Sequence, residues 1–226
     1  MAKVAVVLSG CGVFDGTEIH EAVSVLVHLS RAGATYHCFA PDKPLTTIDH
    51  LKGEPAGDTR NVLVESARIA RGDIQPLTNL AAGDYDAVIF PGGFGAAKNL
   101  CDFASTGADC TVDAEVEQVI KAFHDAGKPV GMCCIAPVIA ARVLGTGQGG
   151  PGVSVTIGAD AGAAEAIGQM GSTNVTKPVT EAHIDEQANL ITAPAYMYGD
   201  ASPHEVYEGI GDMVAQTLGR VGAGAA

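Results

Sequence analysis

The sequence predicts an α/β protein in which helices cover both faces of a mostly parallel sheet. Two apolar runs, KVAVVL (3–8) and AVIF (87–90), are typical of strands that are buried on both faces. Amphipathic stretches such as 19–32 and 112–126 carry apolar side chains at helical spacing. Strand and helix signals alternate along the chain, which indicates repeated strand–helix units and hence a parallel sheet with flanking helices.

The first half of the chain begins with a strand and an amphipathic helix. The apolar positions expected to form the buried side of this helix are Ile19, Val23, Leu26 and Leu29. Asp15 and Glu18 resemble a capping pair ahead of it, and Gly33 is expected to end it. The other elements predicted here are a strand at 35–40, a short hairpin within 41–60, a helix at 62–70 and the strand at 87–90.

The second half continues the alternation and ends in a helix. The predicted elements are a helix at 112–126, a strand at 128–132, a short helix from Pro137 to about Leu144, a strand at 153–157, a helix at 160–170, strands near 183–193 and a helix at about 203–218. The Gly-rich stretch GTGQGGPG (145–152) predicts a flexible loop rather than a linker between domains. We therefore expect a single domain over 1–220 and a flexible tail at 221–226.

Composition limits the classes of function. The chain has 226 residues, of which 47% are hydrophobic, and this is enough to form one large domain with its own core. Its net charge of −13 argues against nucleic acid or an anionic membrane as a partner. The apolar runs are too short to span a bilayer. The N-terminal stretch MAKVAVVLSG lacks the features of a signal or transit peptide, so we expect a cytoplasmic location.

Six cysteines raise the question of disulfides and metals. They are Cys11, Cys38, Cys101, Cys110, Cys133 and Cys134. In a cytosolic chain of this size they are expected to be thiols rather than a disulfide framework. The sequence contains no C-x-x-C pair, and its His and Cys spacing does not match a zinc site, so no structural metal is expected.

Three short segments are expected to meet at one edge of the sheet. In open parallel sheets, ligands bind beyond the carboxyl ends of the strands. The segments that follow predicted strands there are SGCG (9–12), PGGFG (91–95) and CCIAP (133–137). Any chemistry that this chain performs is therefore expected at these turns.

Cys134 is the strongest candidate for a nucleophile. It lies where a strand ends and a helix is about to begin, as in the nucleophile elbow of α/β hydrolases. The positive end of the helix dipole is expected to lower the pKa of its thiol. Alternation along the strand is expected to turn Cys133 into the core. The competing interpretation is that both cysteines are small buried hydrophobic residues, as most cysteines are.

Two further features could serve such a thiol. The glycines of PGGFG permit close approach of the backbone and offer free N–H groups to an oxyanion, although a tight turn without a ligand explains them equally. Glu21 lies near the start of the first helix, where a carboxylate also simply complements the helix dipole. No histidine is placed beside Cys134 by the sequence, and His20, next to Glu21, is the least improbable exception.

Taken together, these segments resemble the PfpI/deglycase superfamily, whose fold is flavodoxin-like and class I glutamine-amidotransferase-like, and within it the ElbB-like group of glyoxalase-like proteins. The stretches that carry the resemblance are LSGCGVFDGTEIHEA (8–22), CFAPDK (38–43), TRNVLVESARIARG (59–72), FPGGFGAAKNL (90–100), CTVD (110–113), GKPVGMCCIAP (127–137) and TAPAYM (192–197). They span most of the chain. Residues 144–152 and the C-terminal tail do not resemble the family.

The resemblance implies roles for four residues. The family's elbow cysteine falls on Cys134 and its buried glutamate on Glu21, while its backbone donors fall on Gly93 and Ile135. Many relatives with protease- or amidotransferase-like triads carry a histidine where this chain has Ile135. The resemblance therefore implies a Cys–Glu dyad rather than amide hydrolysis or ammonia release.

The implied activity is that of a glutathione-independent glyoxalase III-like lyase, a hydro-lyase that converts glyoxal or methylglyoxal to the hydroxy acid. The substrate would be a small reactive aldehyde, no metal or organic cofactor would be needed, and the protein would be a homodimer. Two alternatives remain open. A reactive thiol of this kind also suits a cysteine-based redox or stress sensor with incidental aldehyde turnover. The third possibility is a structural or partner-binding role.

Overall fold

A computed structural model describes residues 1–222 of the chain. Its strands, in chain order, are β1 (Lys3–Val7), β2 (Thr35–Ala40), β3 (Pro44–Asp49), β4 (Glu54–Asn61), β5 (Ile74–Pro76), β6 (Ala87–Phe90), β7 (Val130–Cys133), β8 (Ser154–Val155), β9 (Thr173–Asn174), β10 (His183–Asp185) and β11 (Leu190–Ala193). Its helices are α1 (Ile19–Arg31), α2 (Val62–Ile69), α3 (Phe94–Lys98), α4 (Phe103–Thr106), α5 (Ala114–Asp125), α6 (Pro137–Leu144), α7 (Ala161–Gln169) and α8 (Pro203–Gly219).

Seven of these strands form one sheet in the order β10-β11-β7-β6-β1-β2-β5. The strand pairs are parallel except for the edge pair of β10 and β11. The predicted fold class is therefore confirmed. Because β1, β6, β7 and β11 are parallel neighbours, the segments that follow them meet at the same edge of the sheet.

The core forms two apolar layers, one on each face of the sheet. Alternate residues of a strand point to opposite faces. Accordingly Ala5 and Val7 of β1 pack in the layer that contains α5 and α6, whereas Val4 and Val6 pack in the layer that contains α1 and α8. The continuous apolar runs in the sequence are thus explained by burial of both faces, as expected for a parallel sheet.

Helix α1 turns a different side to the core than its apolar spacing predicts. Ala22, Val25 and Leu29 are fully buried, whereas Ile19 and Val23 are 43% and 44% exposed, so their predicted burial is wrong. Glu18 is the N-cap, since its side chain accepts a hydrogen bond from the N–H of Glu21 at 2.8 Å. The consequence is that the buried side of α1 includes the carboxyl group of Glu21.

Among the smaller elements, one prediction is confirmed, one strand was not predicted and one strand is shorter than predicted. The predicted hairpin is present, with β3 and β4 paired in antiparallel fashion outside the main sheet. The short edge strand β5 was not predicted, because Ile-Gln-Pro carries no periodic signal. The strand predicted at 153–157 is reduced to β8, which pairs with β9. Part of the predicted flexible tail, residues 223–226, lies outside the described residues.

No helix within residues 1–222 combines the length and the apolar character that crossing a bilayer requires.

Candidate active site

Cys134 occupies a sharp turn between β7 and α6. Its φ of 58° lies in the left-handed region, which costs a residue other than glycine roughly 1–2 kcal/mol. The turn is held on both sides, since the N–H of Cys134 donates to the carbonyl oxygen of Ala193 at 3.0 Å and the N–H of Ala136 donates to that of Cys133 at 3.1 Å. The strand-to-helix elbow predicted from the sequence is therefore present, and its backbone is strained.

Glu21 lies beneath this elbow and is fully buried. Its Oε2 accepts a hydrogen bond from the N–H of Gly92 at 3.0 Å, and its Oε1 accepts one from the N–H of Tyr196 at 3.2 Å. Burial raises the pKa of Glu21 to about 7, and the nearby carboxyl of Glu18 acts in the same direction. The two backbone donors and a hydrogen bond with the Cys134 thiol oppose this rise.

Gly92 shows how closely these groups approach. A Cβ atom placed on Gly92 would lie 2.4 Å from the Cβ of Cys134 and 2.6 Å from Oε2 of Glu21. Only the absence of a side chain at this position lets the backbone N–H reach the carboxyl group. Glycine at residue 92 is thus required by the contact between the cysteine and the glutamate.

The two backbone donors predicted from the resemblance also reach the site. The N–H groups of Gly93 and Ile135 lie near the sulfur of Cys134 and favour its ionised form. Gly93 has a φ of 93°, and a Cβ there would lie 2.3 Å from the backbone nitrogen of Glu18. The structure therefore brings together all four residues that the sequence nominated.

The expectation that the helix dipole lowers the pKa of Cys134 is wrong. Burial and, second, the charge of Glu21 raise the pKa of this thiol well above its ordinary value. Only 8% of the residue is exposed. The N–H groups of Gly93 and Ile135 oppose this rise without reversing it. Because the two groups disfavour each other's charge, the pair carries at most one negative charge near neutral pH.

Cys133 is buried as predicted, yet it is not remote from the site. Its sulfur donates a hydrogen bond to Oε2 of Glu21 over 3.7 Å. Burial and the charge of Glu21 raise the pKa of Cys133 well above its ordinary value. The carboxyl of Glu21 is consequently shared between both thiols of the elbow.

One histidine, His20, is connected to Glu21 through Tyr196. Nδ1 of His20 lies 2.8 Å from the hydroxyl of Tyr196, and that residue's backbone N–H holds Glu21. No side-chain hydrogen bond joins a histidine to Cys134 within residues 1–222. Sequence reasoning placed Tyr196 only in a family-like stretch and overlooked the N–H of Gly92. The first glycine of PGGFG was the available signal for that donor.

Arg60, another residue in a family-like stretch, lies elsewhere. Its guanidinium pairs with Asp58 and Glu65, and it lines a cavity of about 290 Å³ together with Cys11. Cys134 does not line this cavity. In the described part of the chain, no group of three or more His, Cys, Asp or Glu side chains is arranged to hold a metal ion.

The sheet order, the cysteine elbow and the buried glutamate define a class I glutamine-amidotransferase-like protein. Relatives support this assignment directly. A human glutamine amidotransferase-like class 1 domain-containing protein 3, mitochondrial, is 55% identical over 96% of this chain and 82% of its own length. The zebrafish (Danio rerio) ES1 protein, mitochondrial, is 39% identical over 96% of this chain and 85% of its own. The chain therefore belongs to the ES1 family of glutamine amidotransferase-like class 1 domain proteins.

Solved structures agree with this assignment. An isoprenoid biosynthesis protein with an amidotransferase-like domain from Ehrlichia chaffeensis has a TM-score of 0.88 at 36% identity, covering 96% of this chain and 99% of its own. A ThiJ/PfpI domain protein from Brachyspira murdochii shares the fold, with a TM-score of 0.57 at 16% identity over 96% of this chain and 95% of its own. The resemblance inferred from the motifs is confirmed. No protein-family model matches the chain.

The comparisons contradict one expectation. The sequence indicated a cytoplasmic location, but the human, rat and zebrafish relatives are all named as mitochondrial proteins. The absence of a recognisable targeting signal was the basis of the cytoplasmic expectation, and it misled. The homodimer and the absence of nucleic-acid and membrane partners stay predictions.

Proposed function

We propose that this protein is a glutathione-independent glyoxalase-type lyase that converts glyoxal or methylglyoxal to the hydroxy acid. Cys134 acts as the nucleophile and Glu21 as the acid and base. The observation that supports this most strongly is the position of the buried Glu21 carboxyl at the elbow. Its Oε2 accepts a hydrogen bond from the N–H of Gly92, and a Cβ on Gly92 would meet both that oxygen and the Cβ of Cys134.

The first step needs a thiolate, although burial alone keeps the thiol protonated. Glu21 has a pKa of about 7 and can take the thiol proton when the aldehyde is bound. The sulfur then adds to the carbonyl carbon, and the electron pair of the C=O bond moves onto oxygen. That oxygen lies two bonds from the sulfur and therefore within reach of the N–H groups of Gly93 and Ile135. Glu21 returns the proton to it and gives a hemithioacetal.

The second step moves a proton between carbons. The ionised carboxyl of Glu21 removes the proton from the carbon that bears sulfur, and an enediolate forms. The hydroxyl proton passes to the neighbouring oxygen and Glu21 delivers its proton to the neighbouring carbon, which leaves a thioester of the hydroxy acid on Cys134. Water hydrolyses the thioester and restores the thiol. One carbon is oxidised and its neighbour is reduced, so the net reaction adds one water and consumes no external oxidant or reductant.

The redox-sensor alternative has less support at this site. Oxidation by peroxide proceeds through the thiolate, so it is favoured by a low thiol pKa. Burial and the charge of Glu21 raise the pKa of Cys134. This thiol therefore stays protonated and reacts slowly with an oxidant.

The adjacent cysteines offer a matched test. Replacing Cys134→Ser should lower the rate of lactate formation from methylglyoxal by at least about 10³-fold, because the nucleophile is lost. Replacing Cys133→Ser should leave that rate within about tenfold of wild type, because Cys133 forms no bond to the substrate in the proposed reaction. Lactate is measured enzymatically, and thermal unfolding verifies that each variant folds. Equal rates for wild type and Cys134→Ser, or no turnover by wild type, would overturn the proposal.

A further inference from the structure

A second pair of thiols lies away from the elbow. Cys101 and Val112 form an isolated antiparallel bridge, flanked by hydrogen bonds from the N–H of Asp102 to the carbonyl oxygen of Thr111 at 3.2 Å and from the N–H of Asp113 to that of Leu100 at 2.9 Å. Residues two apart on one strand point to the same face, so Cys110 is the diagonal neighbour of Cys101. Both are buried, with exposures of 5% for Cys101 and 0% for Cys110.

The bridge places the two thiols side by side in unequal electrostatic surroundings. The sulfur of Cys101 lies 3.3 Å from the carbonyl oxygen of Ala96, to which it can donate. A hydrogen bond between the thiols, and then burial, raises the pKa of Cys101. The same hydrogen bond lowers the pKa of Cys110, and the charge of Arg142 adds to this effect against burial. These surroundings favour ionisation of Cys110 over ionisation of Cys101.

Cys110 borders a surface cavity, although the residue itself has no exposed surface. A surface cavity of about 180 Å³ is lined by Cys110, Thr111, Lys121 and Arg142, among others. The guanidinium of Arg142 is held there by a hydrogen bond to the carbonyl oxygen of Ala108 at 3.1 Å. Two cationic side chains beside a thiol favour its ionised form, which is the form that reacts with oxidants.

We propose that Cys110 and Cys101 form a reversible disulfide when the protein meets a hydroperoxide. The thiolate of Cys110 attacks the distal peroxide oxygen, the O–O bond breaks, and Cys110 becomes a sulfenic acid while the leaving oxygen takes a proton as alcohol or water. The thiol of Cys101 then attacks the sulfenic sulfur and releases one water. Two thiols and one hydrogen peroxide thus give one disulfide and two waters.

The sequence makes this pair convenient to observe. Lys98 and Lys121 bracket both cysteines without an intervening Lys or Arg, so one tryptic peptide, 99–121, holds the pair and no other cysteine. The reduced full-length protein is treated with equimolar hydrogen peroxide, denatured, alkylated and digested. We expect peptide 99–121 to appear unalkylated and lighter by two hydrogen atoms. Its loss of free thiols should be at least about tenfold faster than that of the buried Cys38, whose pKa burial raises to about 12.

Two variants test the assigned order of attack. Cys101→Ser should leave a sulfenic acid on Cys110 that dimedone traps, because no second thiol resolves it. Cys110→Ser should leave Cys101 unreactive. Full alkylation of both thiols in peptide 99–121 of the wild-type protein after peroxide treatment would overturn the proposal, and so would equal reactivity of Cys101 in Cys110→Ser. The wild-type result stands even where a variant fails to fold.

Discussion

The elbow pair, Cys133 and Cys134, and the bridge pair, Cys101 and Cys110, place two buried thiols in opposite electrostatic surroundings. The elbow cysteines are adjacent in sequence and share the carboxyl group of Glu21. The bridge cysteines are separated along the chain, hydrogen-bond each other and lie near a guanidinium. All four residues are at least 92% buried. Burial alone therefore does not decide how a thiol ionises in this protein.

The difference between the pairs shows that the neighbouring charge decides whether the pKa of a buried thiol is raised or lowered. The carboxyl of Glu21 adds to the effect of burial and raises the pKa of both elbow thiols. At the bridge, the hydrogen bond between the thiols and the charge of Arg142 outweigh burial at Cys110. A thiol beside an acid suits chemistry in which the acid takes the proton, whereas a thiol beside a cation suits direct attack.

The largest expected effect comes from removing the elbow's charge. Glu21→Gln should lower kcat/KM for methylglyoxal by about 10²–10⁴-fold, the usual contribution of a general acid or base. A matched control is Glu115→Gln on α5, which should leave kcat/KM within about twofold. Steady-state kinetics with both variants measures this effect. An unchanged kcat/KM in Glu21→Gln would remove the acid–base role from this carboxyl.

The Glu21→Gln variant also tests the raised pKa of Glu21 through the pH dependence of stability. The folded protein holds the Glu21 proton up to about pH 7, whereas the unfolded chain releases it near the ordinary value of 4.5. The folded state therefore binds more protons in this window, and its stability falls as the pH rises from 4.5 to 7, by about 3 kcal/mol for this group. Urea unfolding should show a flatter pH dependence in Glu21→Gln. Parallel curves for variant and wild type would contradict the assignment.

A smaller effect is expected from crowding the elbow. Gly92→Ala would place a methyl group against the Cβ of Cys134 and the carboxyl of Glu21, and should lower the free energy of unfolding by roughly 2–3 kcal/mol. Gly83→Ala is the matched control, since a Cβ there meets nothing within 4 Å, and it should change stability by less than about 0.5 kcal/mol. Urea denaturation measures both. Equal effects would show that the elbow can accommodate a methyl group at residue 92 without strain.

The smallest expected effect tests the cation at the bridge pair. Arg142→Gln should slow the peroxide oxidation of peptide 99–121 by about three- to tenfold, because the charge that favours the Cys110 thiolate is lost. Arg142→Lys keeps the charge and should retain most of the rate. Quenched alkylation followed by mass spectrometry gives both rates. If Lys and Gln slow the reaction equally, the shape of Arg142 matters rather than its charge.

Sequence patterns predicted the sheet and the elbow because both depend on local signals. Continuous apolar runs mark strands buried on both faces, and the proline after Cys134 marks the start of α6. The residues that resemblance nominated at 21, 93 and 135 do lie at the cysteine. Periodicity misplaced Ile19 and Val23, because an apolar stripe does not reveal which side of a helix meets the sheet.

Interactions between distant segments escaped prediction. The N–H of Tyr196 reaches Glu21 only because Ala195 adopts a φ of 46° at the end of β11. The proximity of Cys101 and Cys110 depends on the isolated bridge between Cys101 and Val112, which no periodic pattern in the sequence predicts. The expected fall in the pKa of Cys134 failed because the sequence reveals a helix start but neither the depth of burial nor the side chain packed beneath it.

The burial of Cys134 has a consequence for the kind of molecule that could react with its sulfur. With 92% of this residue covered, the surface of another folded protein cannot bring a lysine, arginine or backbone amide into bonding distance. In the proposed reaction the partners of this sulfur are therefore small molecules that diffuse freely.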